Sequence, residues 1–432
     1  MNKKIMVVFF FILSVISMYY FGFMSNRKLY TATWSGENTT LAITINGEIS
    51  TTFPTSRAYD PIVECTSGTG KIEWKDSKWV LTTSGIEKGS TRCNVDFKNL
   101  PPFADSILAN NTVQAPMTTP GSEVSTSGEA LLASTEDDYG TSYYFRGAVK
   151  NNYVKFANKC WRIVRITGDR SVKLVLHNNN TSGVANPCAS SNNSTSAAYA
   201  HYSGTTFSGS YNSHDNDNTY VGFMYGTAGA SVYATTHANI NKSVVLTNLE
   251  TWYKNNLSSY TDKLADTIWC NDKSTRNGSN GYGTTVTDYG TKNRLVSSAG
   301  MPGGTGPSLI CPNDNNGGKL SKFTVDDTVN GNGALTYKIG LLTADEVVFA
   351  GSISGTSNTS TYLYENTGTY YWWTLSPSYF DDDNSRMWIV RSGSLRIDNK
   401  ITASVAIRPA ISLSSSVSAV GTGTSSDPYV VD

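Results

Sequence analysis

Six thiols, four imidazoles and two runs of carboxylates carry most of the chemical capacity of this 432-residue sequence. The thiols are Cys65, Cys93, Cys160, Cys188, Cys270 and Cys311, and no C-x-x-C or C-x-x-H spacing joins them. Structural zinc needs such close pairs, so a zinc site is disfavoured. An even cysteine count in an exported chain reads first as disulfides. Connectivity is open at this level. Pairing nearest neighbours, Cys65–Cys93, Cys160–Cys188 and Cys270–Cys311, keeps each bridge local and is the favoured expectation; free thiols are the alternative. Each bridge would contribute about 3–4 kcal/mol by restricting the unfolded chain.

Hydrolytic chemistry finds little support. His201, His214 and His237 lie in Ser-, Asn- and Tyr-rich stretches where a solvated ring is expected, and His177 is the fourth. Gly351-Ser352-Ile353-Ser354-Gly355 puts serine at the wrong position for a nucleophile elbow. Gly300 to Gly306 is glycine-rich but has no following Lys-Ser/Thr to cradle a phosphate. The carboxylate runs are Asp381-Asp382-Asp383-Asn384 and His214-Asp215-Asn216-Asp217-Asn218. Both supply hard oxygen ligands, and calcium at Asp381, Asp382 and Asp383 is the one metal candidate, although neither run has the EF-hand spacing. No catalytic constellation emerges, so an enzyme is not expected, and calcium is the only cofactor to test.

The elements that must position these groups begin with the N-terminus. Lys3 and Lys4 precede an almost unbroken apolar run from Ile5 to Met24. A helix of that length would span about 30 Å, the thickness of a bilayer core. Its end is bulky (Tyr19 to Met24) rather than small, which argues for an uncleaved signal anchor over a cleaved signal peptide. The expected layout is a cytoplasmic stub at 1–4, a transmembrane anchor at 5–24 and a stalk at 25–38, with everything beyond outside the cell membrane.

From residue 39 to 100, short alternating runs separated by turns predict a small β-sandwich, with Asn46-Gly47 as its clearest hairpin turn. Residues 101–138 are Ser/Thr/Pro/Gly-rich and are expected to be a linker that partly wraps the next domain. The large domain runs over 139–432. Cys160-Trp161-Arg162-Ile163-Val164-Arg165-Ile166 and Val172-Lys173-Leu174-Val175-Leu176 read as a hairpin. Helices are expected after two capping boxes, Thr247 with Glu250 and Thr343 with Glu346. Lysines and arginines equal aspartates and glutamates, 34 against 34. Without a basic face, nucleic acid is a disfavoured partner. Abundant Tyr, Trp, Ser, Thr, Asn and Gly suit neutral hydroxyl-rich ligands, and equally any exported β-rich protein.

Tyr371-Trp372-Trp373-Thr374-Leu375-Ser376-Pro377, Ile407-Arg408-Pro409-Ala410-Ile411-Ser412-Leu413 and the Cys160 to Ile166 segment together resemble an uncharacterised family of Gram-positive-type bacterial surface proteins. That family is related to the C-type-lectin and formylglycine-generating-enzyme folds and carries a small Ig-like module ahead of the larger domain. The resemblance implies an α+β, C-type-lectin-like domain with long loops, beside the small all-β sandwich and the N-terminal transmembrane helix. It also implies that ligands are held between the Trp-Trp strand and the closing strand. By that position Trp372, Trp373, Ser378, Tyr379, Asp381, Asp382, Asn384, Arg386, Trp388 and Arg391 are the candidate ligand contacts. A platform of one tryptophan with Tyr379 and Phe380 is the alternative; the favoured expectation is that Trp372, Trp373 and Trp388 are packing residues, because large aromatics usually bury. Arg408 is expected to be buried and paired to a carboxylate. The oxidase activity of the formylglycine-generating relatives needs an active-site cysteine pair, and none sits in a matching motif here. The expected function is therefore a membrane-anchored surface protein that binds a glycan, a wall polymer or another cell's protein. A structural envelope component without a small ligand is the alternative.

Overall fold

Asn46 and Gly47 both adopt positive φ, 51° and 83°. This primed turn matches strand twist, and it folds Glu48–Ser50 back on Glu37–Ile45 with Ile45 opposite Glu48. The turn opens the first of two compact units, which meet in sequence at Leu100 and Pro101. The computed structural model describes residues 30–34, 37–87, 89–121, 128–276, 278–297, 302–314, 319–381 and 383–431. The expected anchor at 5–24 lies outside the described residues.

In the first unit, Tyr30–Trp34, Glu37–Ile45, Arg92–Asn99 and Tyr59–Cys65 lie side by side, and Glu48–Ser50 extends the second of them. A separate hairpin, Thr69–Lys75 with Lys78–Ser84, packs on this sheet. Strict alternation along Arg92–Asn99 turns Cys93, Val95 and Phe97 inward. There Val95 and Phe97 meet Ile43 and the hairpin's Ile72, Trp79 and Leu81. The hairpin and the sheet thus enclose this small core between two β layers. Cys65 and Cys93 face each other across paired strands and are bonded.

The second unit starts earlier than expected. Within 101–138, the expected linker, Phe103–Ala109 is a helix whose Phe103, Ala104 and Ile107 enter the main core. Ala130–Asp137 is a strand paired along its full length with Gly140–Gly147. The apolar residues of this stretch are few, but they are spaced to land on one buried face.

Two large sheets form most of this unit, and two short strand pairs add to them. In the seven-stranded sheet the path runs Ala410–Leu413, Val172–Asn178, Lys159–Ile166, Tyr153–Phe156, Tyr429–Val430, and Gly140–Gly147 joins Lys159–Ile166 from the side. Every residue of Lys159–Ile166 and of Val172–Asn178 is buried, because both faces of these strands are covered. The alternation read in the sequence thus hides charged residues as well as apolar ones. The second sheet centres on the hairpin Trp372–Phe380 and Ser385–Arg391, flanked by Ser394–Lys400.

Among the described residues helices are few and short, and the longest, Val244–Asn256, has 13 residues. The expected α+β class is corrected accordingly: among the described residues the molecule is mostly sheet. The β-branched and aromatic residues of Lys159–Ile166, Val172–Asn178 and Trp372–Phe380 favour the pleated backbone. No described helix is long and apolar enough to cross a membrane, and the expected transmembrane helix at 5–24 falls outside the residues to which this applies. Of the two capping boxes, Thr343 forms its own: its Oγ1 accepts from the Glu346 amide at 3.0 Å, and Glu346 Oε2 accepts from the Thr343 amide at 3.0 Å. At Thr247 no box forms. That helix starts a turn earlier, where Ser243 Oγ accepts from the Leu246 amide, and Glu250 instead holds Lys242 at 2.7 Å.

The disulfides are those of nearest-neighbour pairing, Cys65–Cys93, Cys160–Cys188 and Cys270–Cys311. Removing the second with the double substitution Cys160→Ser and Cys188→Ser should lower stability by about 3 kcal/mol. A calorimetric transition unchanged from the native chain would show that this bridge is no staple.

Candidate functional site

The hairpin carrying the expected ligand contacts is stitched from both sides. Trp373 Nε1 donates to the Gly209 carbonyl at 2.9 Å, and its ring meets Tyr211 at 5.6 Å. Trp372 lies under the Arg408 guanidinium, 5.2 Å away. Both tryptophans are buried, as are Trp388, Ser378 and Phe380. Successive side chains do point to opposite faces of a strand, but each face here meets another layer. Burial rules out the platform alternative: Trp372, Trp373, Trp388 and Ser378 are packing residues.

What remains near the surface is the hairpin tip. Asp381 Oδ2 receives both Arg386 Nε at 2.9 Å and Nη2 at 2.8 Å, while Asp381 Oδ1 accepts from the Asn384 amide at 2.8 Å. Burial raises the Asp381 pKa, but the Arg386 hydrogen bond and charge and the backbone amides outweigh it and hold the carboxyl below its ordinary value. Two cations lie over the Tyr379 ring, Lys292 at 4.7 Å and Arg386 at 5.3 Å. Thus the ring that sequence offered as an open platform is already covered. Arg391, exposed, lies over Tyr371 at 4.5 Å. Five residues separate it from Arg386 along one strand, about 16 Å, so the two arginines do not share a surface. Asp382 lies outside the described residues.

The structure unites the two carboxylate runs. Ser385 donates its amide to the Asp215 carbonyl and its hydroxyl to the Asp217 carbonyl, each at 2.6 Å. The carboxylates themselves are spent on local bonds: Asp217 accepts from the Thr219 amide at 2.8 Å and the Gly229 amide at 2.7 Å. Asp215 Oδ2 takes the Thr402 hydroxyl at 2.9 Å. Among the described residues no group of three His, Cys, Asp or Glu side chains is placed to hold a metal ion. Calcium at Asp381 is corrected for the same reason, because Arg386 and the loop amides occupy its oxygens.

Two further expectations change. Arg408 meets carbonyls rather than a carboxylate, those of Leu176 at 2.9 Å and Leu363 at 2.6 Å. The nearby Glu365 belongs to Arg162, at 2.7 Å. His237, expected in solvent, is fully buried with Nε2 2.8 Å from the Gly281 carbonyl. Burial, and then the neighbouring Lys273 charge, push its pKa well below the ordinary value.

Two features were not singled out in the sequence. One is a buried ionic cluster. Glu346 Oε1 takes Lys173 at 2.7 Å and Arg165 at 3.0 Å, and Arg165 also pairs with Asp137. Arg294 bridges Asp345 and Asp272, each at 2.8 Å. The enclosed cavity between these groups is about 20 Å³, room for roughly one water. It is therefore a structural core of charges, not a ligand site. The signal in the sequence was Arg165 and Lys173 inside otherwise apolar strands. The other feature is a concavity of about 300 Å³ lined by Asn178, Asn180, Thr181, Ser191, Asn193 and Ser194 and their neighbours, with no ionisable side chain on its wall. Its rim is held rigidly. Asn178 Nδ2 donates to the Asn192 carbonyl at 2.9 Å, and Asn180 Nδ2 donates to the Asn158 carbonyl at 2.9 Å. Cys160–Cys188 ties the same loop to the sheet. The run Asn178-Asn179-Asn180 was the available signal.

Burial raises the pKa of Glu346, yet Lys173 and Arg165 outweigh it and hold the carboxyl at about 2 against an ordinary 4.5. A depressed folded pKa gives stability that is present above pH 4.5 and lost as pH falls towards about 2. Glu346→Gln should cost about 3–5 kcal/mol at neutral pH, because it strands a buried lysine. It should also flatten the loss of stability across that acid window. Denaturation midpoints measured against pH check both, and an unchanged acid slope would remove Glu346 from the account.

In comparisons with known proteins, the chain matches no family model, no curated protein and no solved structure.

Proposed function

We propose that this chain is an exported binding protein whose larger unit holds a neutral, hydroxyl-rich ligand, a glycan or wall polymer, without transforming it. The observation that carries this reading is the amide- and hydroxyl-lined concavity at Asn178, Asn180, Thr181, Ser191, Asn193 and Ser194. Asparagine side chains and hydroxyls each donate and accept, which suits the paired hydroxyls of a sugar. A wall without carboxylate, imidazole or amine offers no general acid or base. The disulfide and the internal asparagine bonds fix the walls before a ligand arrives, and such preorganisation lowers the entropy cost of binding. Three disulfides fit a compartment outside the reducing cytoplasm.

The test is binding of the full chain to an array of neutral glycans and bacterial wall polymers, with and without calcium. Saturable binding that Ser182→Trp abolishes, at an exposed position lining the concavity, supports the reading. Calcium should leave it unchanged. Binding lost instead on Tyr379→Ala moves the site to the hairpin tip. A blank array, with protein captured only by other copies of the chain, favours an envelope scaffold.

A further inference from the structure

Lys273 is fully buried, and its ammonium-bearing end meets no carboxylate at hydrogen-bond distance among the described contacts. Its Nζ lies 2.7 Å from Asn239 Oδ1 and 3.5 Å from the Met224 carbonyl, with the Phe323 ring 5.2 Å below. The backbone on either side of the amine is pinned. The Lys273 amide donates to Ser321 Oγ at 2.9 Å, and its carbonyl accepts from the Tyr233 hydroxyl at 2.6 Å.

The facing carboxamide is equally fixed. Asn239 holds a left-handed φ of 56°, and its Nδ2 donates to the Leu320 carbonyl at 2.9 Å. The amide of that same Leu320 donates to Asp314 Oδ2 at 2.8 Å. The Leu320 backbone thereby links the buried Asp314 carboxylate to the carboxamide, and the charge of Asp314 acts on the Lys273 amine. Asn239 is half-buried, which leaves a way out for a small leaving group.

We propose that Lys273 and Asn239 form an intramolecular isopeptide cross-link, with Asp314 as the acid–base relay. The Lys273 nitrogen attacks Asn239 Cγ. Asp314 takes the proton shed by the attacking nitrogen and returns one to the Asn239 amide nitrogen. The Cγ–Nδ2 bond breaks, the Nζ–Cγ bond forms, and one ammonia leaves. No oxidant, reductant or co-reactant enters. Attack needs a neutral amine, and burial pushes Lys273 down to about 7 against the opposing charge of Asp314. Holding both groups at contact distance supplies the effective concentration that such a reaction needs. The cross-link joins the loop after Tyr233–Thr236 to the loop after Trp269–Cys270, and Cys270–Cys311 closes the same region with a bond that reductants break. This inference stands apart from the binding reading, which neither requires it nor fails with it.

The test is the intact mass of the full chain, reduced and denatured, beside the Lys273→Arg variant. The native chain should weigh less than its sequence by one ammonia, and a protease digest should yield a branched peptide joining the Asn239 and Lys273 segments. Asp314→Asn should fold, with its three disulfides formed, and show the full mass. A native chain of full mass with both segments linear overturns the proposal. So does ammonia loss confined to the Asn239 peptide, since that marks a cyclic imide. A cross-link formed undiminished in Asp314→Asn would falsify the relay.

Discussion

Glu346 is the point on which the larger unit hangs. It closes the capping box with Thr343 through one oxygen and receives Lys173 and Arg165 on the other. Those two cations sit on adjacent strands of the main sheet. One carboxylate therefore fixes a helix start and the register of two strands at once. Burying so many charges is expensive unless each is matched. Here the matching continues through Asp137 on one side and through Arg294, Asp345 and Asp272 on the other. The opposite end of the same helix is held by Arg146, which donates to the Val348 and Phe349 carbonyls at 3.1 and 3.3 Å.

That arrangement explains why the sheet reads poorly as an amphipathic one. A strand covered on both faces has no solvent side, so arginines and lysines in it must find partners inside. Arg162 does so with Asn152, Glu365 and the Val149 carbonyl. Arg408 finds only carbonyls and an indole face, and one of its nitrogens is left without a hydrogen-bond partner. Burial accordingly pulls its pKa down to about 10. Polar groups of this kind specify one packing, because few alternative arrangements satisfy them.

Function falls to the parts that the core leaves outside. The hairpin tip spends its charge on itself, Asp381 against Arg386 and two cations over Tyr379. The asparagine-lined concavity uses its amides to shape a wall and leaves hydroxyls such as those of Thr181 and Ser191 facing solvent. The proposed binding reading rests on these walls of neutral donors and acceptors. In contrast, Lys273 is chemical capacity sealed inside, where only an intramolecular partner reaches it.

Local signals were legible in the sequence wherever physics acts over a few residues. Asn46-Gly47 dictated its hairpin because both positions tolerate positive φ, Thr343 and Glu346 dictated a helix start three residues apart, and nearest-neighbour cysteines bonded because short loops keep them close. The apolar spacing of Phe103, Ala104 and Ile107 was there to read but was masked by prolines and serines around it. Tertiary structure alone decided which faces were covered. Whether Trp372 or Trp373 faced solvent depended on Arg408 and Tyr211, and whether His237 was wet depended on the loop at Gly281, each distant in sequence. Likewise Lys273, Asn239 and Asp314 are unremarkable as letters. Only the fold removes water from around them, sets the Lys273 amine against the Asn239 carboxamide and ties Asp314 to that carboxamide through Leu320.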